Sequence, residues 1–348
     1  AQRQADLRAL QASNQEAAER ATVNDLFERW ARVDLINRKD GGKEARRMYE
    51  KDIRPIIGHL VLTDVRKGHI TEVTDALLAR GVNRMAKVIF SLMRQMFRFA
   101  VDRDLLENDP TANIRKARIG GKDVERDRVL TEAEITQLAT QLPGARMTHL
   151  AEAAIWIALS TCCRIGELLE ARWEHVDLKN GTWLLPNPKN KRPHTIFLSD
   201  FTIAQFQRIH AQTGDLPWVY PNHEANGPVC SKTVTKQIGD RQRDPEKGPM
   251  SGRSKYCEAL RLPGGKWTPH DLRRTGATMM TIMGVLPEVA ERCLNHTEEN
   301  KVKRIYQRYS YEKEMKDAWR LLGEKLLALT APLHMRPNTD QDRNQLTI

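Results

Sequence analysis

Thr268-Pro269-His270-Asp271-Leu272-Arg273-Arg274-Thr275 is the stretch on which the reading of this 348-residue chain turns. Proline suits the first turn of a helix, where its missing N–H would have had no partner, so Pro269 marks a helix start. On that helix His270 and Arg273 stand three residues apart and share a face. A titratable imidazole beside a permanent cation suits an anion that must also exchange a proton, such as a phosphate. Taken alone, His-x-x-Arg is equally an ordinary first turn with two surface side chains. The choice between the two comes from what accompanies it.

Upstream, the apolar helical run 148–160 leads into Ser160-Thr-Cys-Cys-Arg164-Ile-Gly-Glu167-Leu168-Leu169. An arginine so close to buried structure needs an anion. That anion is either a neighbouring acid, Glu167 or Glu170, or a ligand. After Trp173 the periodicity shortens. Thr182–Pro186 and Thr195–Leu198 read as two strands of a hairpin joined by the polar stretch 187–194. Its tip carries Lys189, Lys191 and Arg192, which are either solvated or reach into a DNA groove. Helical patterns return at 199–213, 270–284, 286–294 and 312–329. Thr131 and Glu134 form a capping box that opens another helix. Leu294-Asn295-His296 is followed ten residues later by Tyr306, with Tyr309 and Tyr311 close behind.

The first third reads as helical throughout, over residues 21–118. Thr22 is placed to cap a helix bearing Val23, Leu26, Phe27 and Trp30. Arg46, Arg47, Lys51 and Arg54 charge the next helix before Pro55 interrupts it. The helix from about Asn83 to Asp102 has an apolar stripe at Val88, Leu92, Met96 and Phe99. Arg84, Lys87, Arg94 and Arg98 lie mostly off that stripe, on a face that is either solvated or phosphate-contacting. The charged stretch 115–128, with Gly120-Gly121, marks a boundary between two domains. The expected layout is therefore residues 1–20 as a linker or surface helix, 21–118 as a helical domain, 119–128 as linker, 129–330 as a second domain, and 331–348 as a disordered tail. The fold class is mainly α with a small β-hairpin in the C-terminal half.

Composition adds limits. Fifty-six Lys+Arg against 45 Asp+Glu give a net charge of +11, which favours a polyanionic partner. No stretch approaches the ~20 apolar residues of a membrane helix. The N-terminus AQRQADLRAL lacks the apolar region of a signal peptide. The five cysteines show no C-x2-C spacing, so reduced cytoplasmic thiols and no metal site are expected, with Cys162 and Cys163 buried.

The order Arg…Lys…His-x-x-Arg…His…Tyr resembles the tyrosine recombinase, or phage integrase, family. Its first motif, an arginine followed by Gly-Glu-Leu, stands as Arg164-Ile-Gly166-Glu167-Leu168, and its hairpin lysine as Lys189. Its second motif is His270-Asp-Leu272-Arg273-Arg274-Thr275, and its Leu-Gly-His element is Leu294-Asn295-His296. Asn in place of Gly is at home among integrases of satellite phages and genomic islands. The closing Tyr306-Gln-Arg-Tyr309-Ser-Tyr311-Glu-Lys-Glu-Met resembles the same subgroup. In the first third the match is looser, through Asp52-Ile-Arg-Pro-Ile-Ile-Gly58 and Asn108-Asp-Pro110.

The resemblance implies a helical core-binding domain, a catalytic domain, and residues 1–20 as linker or remnant of an upstream arm-binding domain. It implies a cofactor-free, metal-independent transesterification on double-stranded DNA recombination sites by a homotetramer, with accessory DNA-bending or directionality factors, in the bacterial cytoplasm. Arg164, Arg273 and His296 then hold the phosphate, Tyr306 attacks, His270 assists its deprotonation, Lys189 protonates the leaving oxygen, and Glu167 supports. Arg84, Lys87, Arg94, Lys191 and Arg192 are the expected DNA contacts. The helix bearing Trp319, Leu322, Leu326 and Leu329 is expected to dock on a neighbouring protomer, with packing in cis as the alternative. The competing readings are a type IB topoisomerase and a DNA-binding regulator on a catalytically dead scaffold.

Overall fold

The computed structural model describes residues 21–122, 125–188, 190–247, 254–296 and 309–331. Residues 1–20, the tail beyond 331, Lys189 and Tyr306 therefore lie outside the described residues. The chain divides into two compact units, through Glu125 and from Arg126 onward.

The first unit is helical: α1 (Val23–Val33), α2 (Lys43–Met48), α3 (Arg54–Ile57), α4 (Lys67–Ala79) and α5 (Asn83–Val101). Thr22 caps α1 reciprocally, its hydroxyl accepting from Asp25 N at 3.2 Å while Asp25 accepts from Thr22 N at 2.9 Å. Val23, Leu26, Phe27 and Trp30 are buried as their spacing predicts, and Phe27 stacks on Tyr49 with ring centroids 3.8 Å apart. Two expectations are corrected. Pro55 does not interrupt its helix: the widened π-turn Tyr49–Ile53 joins α2 to α3 and absorbs the N–H that proline lacks. The stripe on α5 is also rotated. Val88 is 40% exposed, and the core face is Ala86, Ile89, Phe90, Met93, Met96, Phe97 and Ala100, beside Leu92 and Phe99. A 3.6-residue period over 19 residues admits several interleaved stripes, and the broad aromatic one wins.

The segment read as linker is held rather than free. Asn83 Nδ2 donates to Gly120 O at 3.3 Å and Lys87 Nζ to Gly121 O at 2.6 Å. Gly120 has φ +66, and a Cβ there would meet Asn83 Cβ at 2.8 Å, so only glycine fits.

The second unit contains α6 (Glu132–Gln141), α7 (His149–Thr161), α8 (Ile165–Leu169), β1 (Val176–Asp177), β2 (Thr182–Leu185), β3 (His194–Phe197), α9 (Asp200–Thr213), α10 (Thr233–Asp240), α11 (Pro269–Ile282), α12 (Pro287–Cys293) and α13 (Glu312–Thr330). The sheet is antiparallel in the order β1-β2-β3, with Trp183 opposite Ile196 and Leu185 opposite His194. Strand β1 and helix α10 were not expected. The first has two residues and the second eight, too short for periodicity to register.

Helix α7 is apolar on every side and lies at the centre, packed by α9, α11 and α13. Gly276 of α11 lets the two backbones approach: a Cβ there would meet Leu159 O at 2.5 Å. Helix α13 packs in cis, which corrects the expected docking on a neighbour. Trp319 is 1% exposed, its indole N–H donates to Thr161 O at 3.1 Å, and Leu322 and Leu326 are fully buried beside it. Its apolar stripe completes the core around α7, the lowest-cost place for an indole that also needs an acceptor. Among the described residues no helix is long and apolar enough to cross a membrane.

Candidate active site

Four separated segments of the second unit meet at the N-terminal end of α11. The first is the turn between α7 and α8. Cys162 adopts a left-handed conformation at φ +56, which reverses the chain and brings Arg164 to the N-cap of α8. Glu167 holds Arg164 twice, through Nη1 at 2.9 Å and through the backbone N–H at 3.1 Å. The internal ion pair open in the sequence therefore forms, with Glu167, and it fixes one end of the guanidinium.

Arg273 stands one turn into α11 and is 4% exposed. Nη1 donates to Cys162 O and Nη2 to Leu294 O, each at 2.5 Å, so it ties the first segment to the fourth. Burial and then the nearby Arg164 cation lower its pKa, and the charge of Glu167 is the weakest of its electrostatic influences. A buried cation beside another cation is costly. Glu167 offsets the charge of Arg164 and backbone carbonyls solvate Arg273, which leaves the pair poised for an anion.

His270 stands at the exposed mouth, one residue after Pro269. Partial burial and the cations Arg274, Arg273 and Arg164 lower its pKa against the opposing Asp271 carboxylate, so its neutral form is favoured near pH 7. His296 completes the group. Its Nε2 lies 3.2 Å from Arg273 Nη2 and its Nδ1 2.5 Å from Glu291 Oε2. Guanidinium has only donors, so Nε2 accepts and Nδ1 carries the hydrogen that Glu291 takes. His270, Arg273, Arg274, Glu291 and His296 line one open cleft of about 380 Å³.

Asn295 explains how Leu-Asn-His stands for Leu-Gly-His. Helix α12 ends in a Schellman turn, with Asn295 N donating to Arg292 O at 2.8 Å and His296 N to Glu291 O at 3.1 Å. The residue in the middle must be left-handed, and Asn295 has φ +51. Asparagine is the side chain that tolerates this best after glycine.

Three residues were missed in the sequence. Glu291 is five residues before His296, and only the Schellman turn folds it back. Asp271 is fully buried and accepts from Arg126 Nε at 2.8 Å, Arg274 Nη1 at 2.9 Å and Thr268 N at 2.9 Å, which pins the start of α11. His194 opens β3 behind the two arginines. Its pKa is lowered by burial, it senses Glu167, Arg273 and Arg164, and its Nε2 is buried without a partner. The sequence signal was Arg192-Pro-His194 itself, read only as basic.

Of the expected DNA contacts, Lys191 and Arg192 are exposed at the hairpin tip and Arg84 is exposed on α5. Arg94 is half-buried. Lys87 is 6% exposed with its ammonium on Gly121, which corrects its reading as a free phosphate contact: it ties a loop to α5. Lys189 and Tyr306 lie outside the described residues: in sequence Lys189 falls between Glu167 and His194 of this site, and Tyr306 ten residues after His296.

Both units resemble known proteins. The phage integrase family model matches residues 128–313, and the phage integrase central domain matches residues 24–117. Prophage integrase IntA of Escherichia coli (strain K12) is 25% identical over 307 residues, covering 86% of this chain and 69% of that protein. The integrase of Enterobacteria phage P4 is 20% identical over 232 residues, covering 62% of this chain and 53% of its own length. Among solved structures, a lambda integrase tetramer bound to a Holliday junction superposes with a TM-score of 0.63 at 17% identity, covering 81% of this chain and 80% of that one. The chain belongs to the phage integrase family, the tyrosine recombinases. It is a site-specific DNA strand-transferring enzyme of that class.

Proposed function

We propose that this chain integrates and excises a mobile genetic element by cutting and rejoining DNA through a 3′-phosphotyrosine at Tyr306. The observation that carries the assignment of the site is the convergence of Arg164 and buried Arg273 between His270 and His296, with burial and then the Arg164 cation lowering the pKa of Arg273. Such a cluster is complementary to a phosphodiester, whose non-bridging oxygens gain charge in the pentacoordinate transition state.

In this reading Arg164 and Arg273 bind those oxygens, and His296 adds a third contact. Glu291 holds its ring in place through Nδ1. Tyr306 has a reference pKa of about 10 and loses its proton as it attacks, with neutral His270 as acceptor. The Tyr306 Oη–P bond forms, the P–O5′ bond breaks, and Lys189 delivers a proton to the departing 5′ oxygen. Glu167 and Asp271 are positioning residues. The covalent bond conserves the energy of the phosphodiester, and attack by another 5′ hydroxyl rejoins the strands.

Residues 21–118 serve as the core-site DNA-binding domain and 129–330 as the catalytic domain, joined by 119–128. Double-stranded recombination sites are the substrate. Four copies act on two synapsed sites, with DNA-bending or directionality factors as partners, in the bacterial cytoplasm.

A duplex nicked close to the cleavage site loses a short fragment after attack and traps the enzyme covalently. The chain is expected to be trapped, and Tyr306→Phe to bind the same DNA without trapping. A parental protein that binds and is never trapped is the regulator on a dead scaffold. Trapping by Tyr306→Phe assigns the nucleophile to another tyrosine.

A further inference from the structure

The charged stretch 115–128 reads in sequence as a boundary, yet its last residues are bonded along the helix that carries the candidate site. Arg126 Nε meets both carboxylate oxygens of Asp271, at 3.0 and 2.8 Å, and its Nη2 donates to Lys266 O. Two residues on, Arg128 O accepts from Arg274 Nη1 at 3.2 Å, and two further, Leu130 N donates to Thr275 Oγ1 at 2.9 Å. The Thr275 hydroxyl donates in turn to Asp271 O at 2.7 Å. Ties on every second residue suit an extended segment. Residues 126–130 thus run as a strap along the start of α11. The strap accounts for the part of His270-Asp271-Leu272-Arg273-Arg274-Thr275 that the chemistry leaves over. His270 and Arg273 line the cleft, Leu272 is in the core, Asp271 and Thr275 are fully buried and take the strap, and Arg274 serves both.

Asp271 is the centre of this arrangement. Besides Arg126 it accepts from Thr268 N, Thr268 Oγ1 and Arg274 Nη1, each at 2.9 Å. Arg274 belongs to the same helix and Thr268 caps it, so both move with it and neither can place it. Arg126 comes from outside the helix and can. We infer that Arg126 is a positioning residue: by gripping Asp271 it sets where the first turn of α11 stands, and with it His270 and Arg273, against Arg164 and His296. The end of the linker is then part of the frame of the site rather than a tether. The inference rests on the reading of this site as the one that cleaves DNA. His270 adjoins Asp271 and Arg273 lies two residues on, so a shift of the carboxylate reaches both through helical backbone. Misplacing a reacting group by about 1 Å can cost on the order of 10²-fold in rate, so a small shift is enough.

The test separates placement from binding and from stability. The full chain and its Arg126→Ala, Arg126→Lys, Asp271→Asn and Arg126→Ala/Asp271→Asn variants are compared in single-turnover cleavage of a nicked duplex at saturating enzyme, beside DNA affinity across a range of salt and thermal melting. Arg126→Ala is expected to slow the saturated rate by about tenfold or more, within the scale that misplacement allows, with Kd and its salt dependence unchanged. Arg126→Lys keeps the charge without the planar fork and is expected to recover part of that loss. With Asp271→Asn in place, Arg126→Ala is expected to add less than about twofold, because the carboxylate through which it acts is gone. An Arg126→Ala protein that cleaves at the parental saturated rate overturns the proposal. So does one with an intact saturated rate, weakened affinity and a salt slope smaller by about 0.9, since Arg126 is then a contact to a DNA phosphate. A full loss that persists in the Asp271→Asn background places its action elsewhere and overturns it too. A loss that follows melting alone, with the rate per folded molecule unchanged, reduces the bond to scaffold. A parent that is never trapped covalently overturns instead the reading of the site on which the inference rests.

Discussion

Arg128, half-buried, and Arg273, buried, are arginines of the same unit, and their surroundings differ in the way that separates structure from function. Arg128 meets Glu134 with two parallel bonds, at 2.9 and 2.6 Å, and Glu134 also accepts from Gly264 N at 2.7 Å. Arg273 has carbonyls, a histidine and another cation. A third arginine shows that carbonyl solvation alone is not the sign of a site. Arg241, 7% exposed, donates to the carbonyls of Ala145, Arg146 and Gln237, and among the described residues the charge that acts on it is Asp240, which supports it. What marks Arg273 is the second cation. Like charges held in close company with a lowered pKa mark a place where a ligand can later neutralise them.

The comparison breaks most sharply at Arg273. Arg273→Gln is expected to cost about 10²–10³-fold or more in covalent trapping, the scale of one lost oxyanion donor, with no loss of thermal stability because a poorly compensated buried charge goes with it. A large fall in Tm alongside lost trapping would make Arg273 a structural residue like Arg241.

Arg128→Ala should do the reverse. It strands Glu134, 5% exposed, and is expected to destabilise the unit by about 3 kcal/mol, while trapping persists at temperatures where the protein stays folded. Burial alone would raise the Glu134 pKa, yet Arg128 and the N–H groups of Thr131 and Gly264 outweigh it and hold it down at about 2. A depressed carboxylate contributes stability above its unfolded value and loses it as pH falls through the folded one. This contribution is therefore expected to fade between about pH 5 and pH 2. Glu134→Gln should remove that portion of the acid transition, and an unchanged acid-unfolding curve would show the pair to be marginal.

The same contrast explains what the sequence revealed. Arg164, His270, Arg273 and His296 were singled out because their order resembles the motifs of the tyrosine recombinases, and Pro269 and Thr131 were legible because helix starts have local chemistry. Glu291 was not, since a spacing of five residues places two groups on different helical faces until a Schellman turn folds one back. His194 was hidden by its basic neighbours, which suggested surface. The stripe on α13 showed that a face is buried and said nothing about which molecule buries it, so its docking in cis needed coordinates. On α5, several apolar stripes competed, and tertiary packing chose the one without Val88.

The finest test of the cation cluster is the acid limit of cleavage. His270 must be neutral to accept the Tyr306 proton, and three cations beside it extend the neutral range below the ordinary histidine value of about 6.5. Arg274 is the largest charge among them, and it is also bonded to Asp271 at 2.9 Å. Arg274→Gln removes that cation and leaves the Asp271 carboxylate less compensated, and both changes raise the His270 pKa. The acid limb of the single-turnover rate is therefore expected to move to higher pH, with a loss of a few-fold near pH 6 and little change at pH 8. Removing Arg164 or Arg273 would confound the measurement, because those guanidinium groups are assigned to the phosphate itself. An acid limb that stays in place in Arg274→Gln would assign the proton acceptor to another group and reduce His270 to a phosphate contact.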